Sequence, residues 1–114
     1  DWPPGLVAAR LSEEPVERRL VGRWAALAGH PEAEALLAAQ LRDIEPSVQE
    51  SAILSLGHLH RPTARDELKR LLRQGTERQQ ALAAEGLTAW SPEELEPLVQ
   101  HPAAQVRSAV ARRL

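Results

Sequence analysis

The sequence predicts an all-α protein built as a right-handed α-solenoid of antiparallel helical hairpins. Three observations carry that expectation. The apolar residues are mostly Leu and Ala, which favour helices, and only three aromatic side chains, all Trp, occur in 114 residues. Prolines cut the chain into short segments, each with an apolar stripe at three- and four-residue steps. The segments recur with a period of about 30 residues, as expected of a two-helix repeat that buries its apolar face only by stacking on its neighbours.

Each element follows from its segment. Residues 4–11 read as a half-unit helix. "PVERRLVGRWAALAGH" places Val16, Leu20, Val21, Trp24 and Leu27 on one stripe, and Gly29 sits where a helix should end in a left-handed residue. "PEAEALLAAQLRD" has Ala33, Leu36, Leu37 and Leu41, and "PSVQESAILSLGHLH" has Val48, Ala52, Ile53, Leu56 and Leu59. "PTARDELKRLLRQG" has Ala64, Leu68, Leu71 and Leu72, with Gly75 as a second expected left-handed stop. "TERQQALAAEGLTAW" has Ala81, Leu82, Ala84 and Leu87, "PEELEPLVQ" is a short helix interrupted by Pro97, and "PAAQVRSAVARRL" has Val106, Val110 and Leu114. Ser47 with Glu50, Thr63 with Asp66, Thr76 with Gln79 and Ser91 with Glu94 have capping-box spacing. The links are two or three residues long, so sequential helices should pack as hairpins.

The middle of the chain is the most informative. In "PSVQESAILSLGHLHRPTARDELKRLL", Val48, Ala52, the pair Leu56-Gly57 and the pair Leu71-Leu72 resemble one unit of the short HEAT-like repeat of the phycobilin lyase type. "QVRSAVARRL" resembles the first helix of another unit, with Val106-Arg107 in place. Residues 16–41 match more loosely, with Trp24-Ala25 where Leu-Gly would stand, and residues 77–100 depart further. The resemblance implies one domain over 1–114: a partial unit at 1–11, units near 12–43, 44–74 and 75–100, and a lone first helix at 102–114. A lone first helix would leave Val106, Val110 and Leu114 exposed as an end contact for a partner or a second copy. On that reading the chain is a piece of a longer protein.

Composition narrows the function classes. A formal charge of −2 argues against a general nucleic-acid or membrane binder. With no Cys there is no disulfide or thiolate metal site. No apolar run approaches the ~18 residues of a membrane span. His58 and His60 lie two apart, which on a helix turns them about 200° from each other, so they form no helical metal pair. His30 and His101 lie in other bends. There is no Gly-x-Ser-x-Gly elbow and no glycine-rich phosphate loop. Glu13-Glu14 and Glu93-Glu94 fall in first turns, where they complement the helix dipole. Catalytic, cofactor-binding and metal-ligating residues are therefore expected to be none.

Binding surfaces are expected instead. In such hairpins the second helices line the concave face. Arg65, Lys69 and Arg73, at i, i+4 and i+8, would form a basic stripe there between two acid-bearing helices, and Trp90, half apolar and half wet at a bend, would anchor a partner. Asp66 is expected to pair with Arg70. The resemblance implies a non-enzymatic protein-interaction scaffold, fitted to an acidic protein segment. It also admits an accessory or lyase-type subunit handling a tetrapyrrole, as in the branch that named the repeat. Weak phosphate contact through Arg107, Arg112 and Arg113 is a third reading. The Arg/Ala/Leu/Pro bias points to a GC-rich bacterial source, and a soluble, cytoplasmic protein is expected.

Overall fold

A computed structural model describes residues 12–59, 61–86 and 91–113 of the chain. The helix expected at 4–11, His60, Trp90 and Leu114 lie outside the described residues. The helices are α1 (Pro15–Ala28), α2 (Ala33–Gln40), α3 (Pro46–Gly57), α4 (Pro62–Gln74), α5 (Glu77–Glu85), α6 (Pro92–Leu95), which runs into a 3-10 segment (Glu96–Gln100), and α7 (Ala104–Arg113). No strand occurs among the described residues.

Two layers result. First helices stack on first helices, α1 on α3, α3 on α5 and α5 on α7. Second helices fold back as hairpins, α2 on α1 and α4 on α3, and the 3-10 segment packs on α7. The molecule is elongated, 45 × 24 × 19 Å, as stacking along one axis requires. One continuous core runs through it, from Leu37 through Ile53, Leu56, Leu68 and Leu72 to Leu95, Val106 and Val110. No helix among the described residues is long and apolar enough to cross a membrane.

Proline fixes where these helices start. Pro15, Pro46, Pro62 and Pro92 occupy the first helical position, where a missing N–H costs nothing. The cap is therefore the preceding residue. Ser91 accepts from the Glu94 N–H, and the Glu94 side chain accepts from the Ser91 N–H; Thr76 and Gln79 do the same. The capping boxes expected at Ser47 and Thr63 do not form, because Glu45 and Arg61 are the caps there and both residues fall two places too late. Gly29 is left-handed, with φ 64°, as expected. Gly75 is not: its backbone is extended, carrying the chain straight into the Thr76 cap. Arg70 pairs with Glu67 at 2.9 Å rather than with Asp66. Pro97 has no N–H for an i−4 bond, and the short α6 tightens into 3-10 geometry around it.

The caps also correct the repeat register. Glu14, Glu45 and Thr76 open successive first helices at a constant spacing of 31 residues. Val16 thus corresponds to Ser47, not to Val48, and Leu20 to Ser51. The inward residues of α1 are the small ones, Val21, Gly22 and Ala25. Val16, Leu20 and Leu27, read from the sequence as core, point outward and are 63%, 56% and 77% exposed. Close packing explains the choice. A Cβ on Gly22 would press on the side-chain ends of Gln40 and Leu37, which would have to move aside. Gly57 has a similar origin: its Cβ would stand 2.9 Å from the Gly86 Cα, where α3 and α5 approach backbone to backbone.

The carboxy-terminal helix requires a further correction. Val106 and Val110 are fully buried, with Ala109 beside them, against α5 and the 3-10 segment. The apolar stripe of α7 is thus consumed by stacking on the preceding unit. The polar side chains that α7 turns outward are Gln105, Arg107, Ser108 and Arg112.

Candidate functional site

The bends come first, because the histidines sit in them. His30 Nδ1 accepts from the Glu32 N–H at 3.1 Å, and His101 Nδ1 accepts from the Ala103 N–H at 3.0 Å. Asp43 Oδ1 accepts from the Glu45 N–H and Ser12 Oγ from the Glu14 N–H by the same two-residue step. Ser, Asp and His here play one part: a side-chain acceptor that turns the chain into the next helix. No group of His, Cys, Asp and Glu that could hold a metal ion occurs among the described residues.

His101 does one thing more. Its Nε2 lies 2.6 Å from the Leu72 carbonyl oxygen, a pure acceptor, so the ring is the tautomer with hydrogen on Nε2. Gln80 Nε2 donates to the same oxygen at 3.2 Å. Leu72 belongs to the last turn of α4, whose carbonyls lack intrahelical partners. A histidine from the third bend thereby closes the end of the second unit's helix.

The expected basic stripe divides. Arg65 and Lys69 both reach Glu94, the Lys69 Nζ at 3.4 Å. Arg61 pairs with Glu34 at 3.2 Å. The acidic–basic–acidic order of the second helices is thus spent largely on pairs between neighbouring units. The first-helix layer is joined likewise, Arg78 to Glu50 and Arg112 to Glu85, each at 3.3 Å. Glu94 is held ionised below the ordinary glutamate range, first by the Ser91 N–H and then by Lys69, Arg65 and the Ser91 hydroxyl, against the opposing effect of burial. Arg73 is exposed in the last turn of α4, where a cation complements the helix carboxyl end.

A cleft of about 540 Å³ opens beside that stripe, between α4 and the 3-10 segment. Its apolar surface comes from Leu72, Pro97, Leu98 and Pro102, and Lys69 and Arg73 stand on its rim with Glu94. His101 and Gln80 complete the lining. The structure therefore brings Lys69 and Arg73 of the expected surface to one cleft and assigns Arg65 to the interunit joint. The cleft's apolar half is absent from the sequence reading. Pro97 and Leu98 lie within the 3-10 turn and Pro102 just beyond it, and three-residue turns hide the helical period that would have flagged them.

The strongest polar joint in the first unit also lacks a motif. Arg18 grips Asp43 with two bonds, Nε to Oδ2 at 2.8 Å and Nη2 to Oδ1 at 2.9 Å, and its Nη1 donates to the Ser12 carbonyl at 2.7 Å. This ties the start of α1 to the α2–α3 bend, and the guanidinium holds the Asp43 carboxyl below the usual aspartate range. Trp24 lies over the α1–α2 bend, its ring centre 5.8 Å from that of His30.

No curated protein and no solved structure matches the chain. The family model for HEAT repeats matches residues 3–88, three quarters of its length. Together with the two-layered stack of hairpins, that match makes the chain a member of the HEAT-repeat family.

Proposed function

We propose that the chain is a non-enzymatic protein-binding module whose docking site is the cleft between α4 and the 3-10 segment. HEAT repeats as a family mediate protein–protein interaction, and the cleft gives that role an address here. One observation carries the reading: an apolar trough of Leu72, Pro97, Leu98 and Pro102 is rimmed by Lys69 and Arg73 on the second-helix side. The ligand it fits is a short segment with an apolar anchor and a neighbouring carboxylate. The anchor fills the trough, and the carboxylate meets Arg73, whose planar fork takes it with two parallel bonds. The rigidity of the stacked units keeps the trough open without a partner, which lowers the ordering cost of binding.

The test selects ligands rather than assuming one. A displayed random-peptide library is panned on the full chain, and selected peptides are measured by fluorescence anisotropy against the parent and Arg73→Glu. The expected outcome is enrichment of Asp or Glu next to a large apolar residue, with about tenfold weaker binding to the variant and a melting temperature lowered only by the small helix-end charge effect. Enrichment without acids, or equal affinity for Arg73→Glu, refutes the site. Reversal of Arg65 or Lys69 is the wrong probe, because it also breaks the joint to Glu94.

A further inference from the structure

The first-helix layer holds a second trough, of about 610 Å³, between α1 and α3. Val16 and Leu20 form one wall and Leu54 the other, with Ser47, Ser51 and Ser55 along α3. The two leucines and the valine are each more than two-fifths exposed. Large apolar side chains grouped on a surface in this way mark interaction sites.

The unit-to-unit comparison makes the row specific. At equivalent outward positions α1 carries Val16 and Leu20 where α3 carries Ser47 and Ser51. Farther on, the outward side chains are Arg78 and Glu85 on α5 and Arg112 on α7, committed to ion pairs. At the same two positions α5 carries Arg78 and Leu82, and Leu82 is buried in the core, so α1 differs in leaving both of its apolar side chains exposed. Its own core contact is made by Val21, Gly22 and Ala25 on the opposite side.

The charges choose the occupant. Arg19 and Arg23 line the trough beside Val16 and Leu20, with His58 at the α3 end. Glu50 is the acid in the lining, and Arg78 of α5 already pairs with it. We infer that this trough is a second docking surface, which receives an acidic amphipathic helix of a partner protein. Apolar residues of that helix at i, i+4 and i+7 would lie against Val16, Leu20 and Leu54, and its carboxylates would meet Arg19 and Arg23. The small serines let the incoming backbone approach α3 closely. Because this surface belongs to the other helix layer, it would bind independently of the cleft at Arg73.

The probe is a synthetic helix of 14 residues, matching the length of α1, with Leu along one face and Glu on both flanks; its twin has Lys for every Glu. Binding to the full chain is read by fluorescence anisotropy at low and high salt. The expected result is that the Glu peptide binds and the Lys twin does not. Arg19→Glu with Arg23→Glu, or Leu20→Glu, should weaken the Glu peptide about tenfold or more, while Arg73→Glu leaves it unchanged. Circular dichroism confirms that these outward substitutions leave the fold intact. Equal binding of both peptides, or indifference to the α1 variants, overturns the proposal. So does a concentration-dependent dimer that Leu20→Glu dissolves, since a second copy would then occupy the trough. Binding that appears only after residues 1–11 are deleted also overturns it, because the chain's own amino-terminal segment would then be the occupant.

Discussion

Gly57→Ala should destabilise this protein although it adds one methyl group to the end of a helix that alanine favours. The added Cβ would stand 2.9 Å from the Gly86 Cα, and backbone nitrogen and carbonyl carbon follow at 3.9 and 4.0 Å. Ordinary carbon–carbon contact is about 3.5–4.0 Å, so α3 and α5 must part by roughly half an ångström or more. The obstacle is backbone, with no rotamer that could move aside. Overpacking of this kind costs about 1–3 kcal/mol. Helix propensity returns part of that, up to about 1 kcal/mol for Gly→Ala inside a helix and less at its last residue. The net expectation is a loss of about 1–2 kcal/mol, or a fall in melting temperature of roughly 4–8 °C for a domain of this size. Thermal and urea unfolding followed by circular dichroism measure it. Gly29 supplies the contrast: a Cβ there meets nothing within 4 Å, but φ is 64°. Asn tolerates that left-handed backbone, so Gly29→Asn should be nearly neutral and Gly29→Ala costly. At Gly57 Asn should be at least as damaging as Ala. A Gly57→Ala protein as stable as the parent would refute the close backbone crossing.

Three further outcomes follow from the same packing. Val110→Ala removes two buried methyl groups and should cost about 2–3 kcal/mol in urea unfolding, whereas an exposed end contact would cost almost nothing. His101→Leu leaves the Ala103 N–H without its acceptor and removes a donor from the Leu72 oxygen, so a loss of about 1–2 kcal/mol is expected in the same assay. Asp43 and Glu94 both have folded-state pKa values below their ordinary ones, so the unfolded chain binds more protons in acid. Their contribution is complete above the ordinary carboxylate range and is lost as pH falls through it toward the depressed values. Asp43→Asn keeps the amide oxygen that can accept from Glu45 but loses the charge, and its melting temperature should fall less steeply between neutral pH and pH of about 3.

Much of the fold was legible because stacking imposes two periods at once, 3.6 residues within a helix and about 30 between units. Leu56-Gly57, Leu68 and Leu71-Leu72 satisfy both, and they are buried as read. The outward row of α1 satisfied the first period and misled, because apolar size was taken as the sign of the core. Val21, Gly22 and Ala25 carry the buried face, and smallness marks it: a larger residue at Gly22 would have to displace the side chains of Gln40 and Leu37. The repeat register could have been recovered from the prolines. Glu14-Pro15 and Glu45-Pro46 share a phase that Val16 and Val48 do not. The cleft was half legible. Lys69 and Arg73 lie on an ordinary helical face, but the apolar half depends on how a 3-10 turn folds against α4, which no helical period encodes. The ion pairs were hidden for a different reason. The members of the interunit pairs stand 25 to 29 residues apart, a few residues short of the 31-residue repeat, so their partners are visible only once that repeat length is known.

That spacing bears on where recognition can reside in such a stack. A charge about one helical turn short of a full repeat from its opposite faces it across the joint between units, as Arg61 faces Glu34 and Arg78 faces Glu50. Exposed pairs of this kind add little stability individually, but like charges at the same joint would oppose stacking, so they favour one register over a slipped one. Charge used in this way is no longer available to attract a ligand. On the proposed reading, recognition falls where the interunit ladder is interrupted. The second-helix ladder is interrupted at Arg73, beyond the reach of Glu94, and the trough of Leu72 and Leu98 opens there. The first-helix ladder begins only at Glu50, and one unit earlier Val16, Leu20, Arg19 and Arg23 stand in the outer trough without an acidic neighbour beyond Glu50 in its lining. Both surfaces lie at interruptions of the ladder, one in each helix layer, and that placement favours a module with two docking faces over one with a single continuous groove.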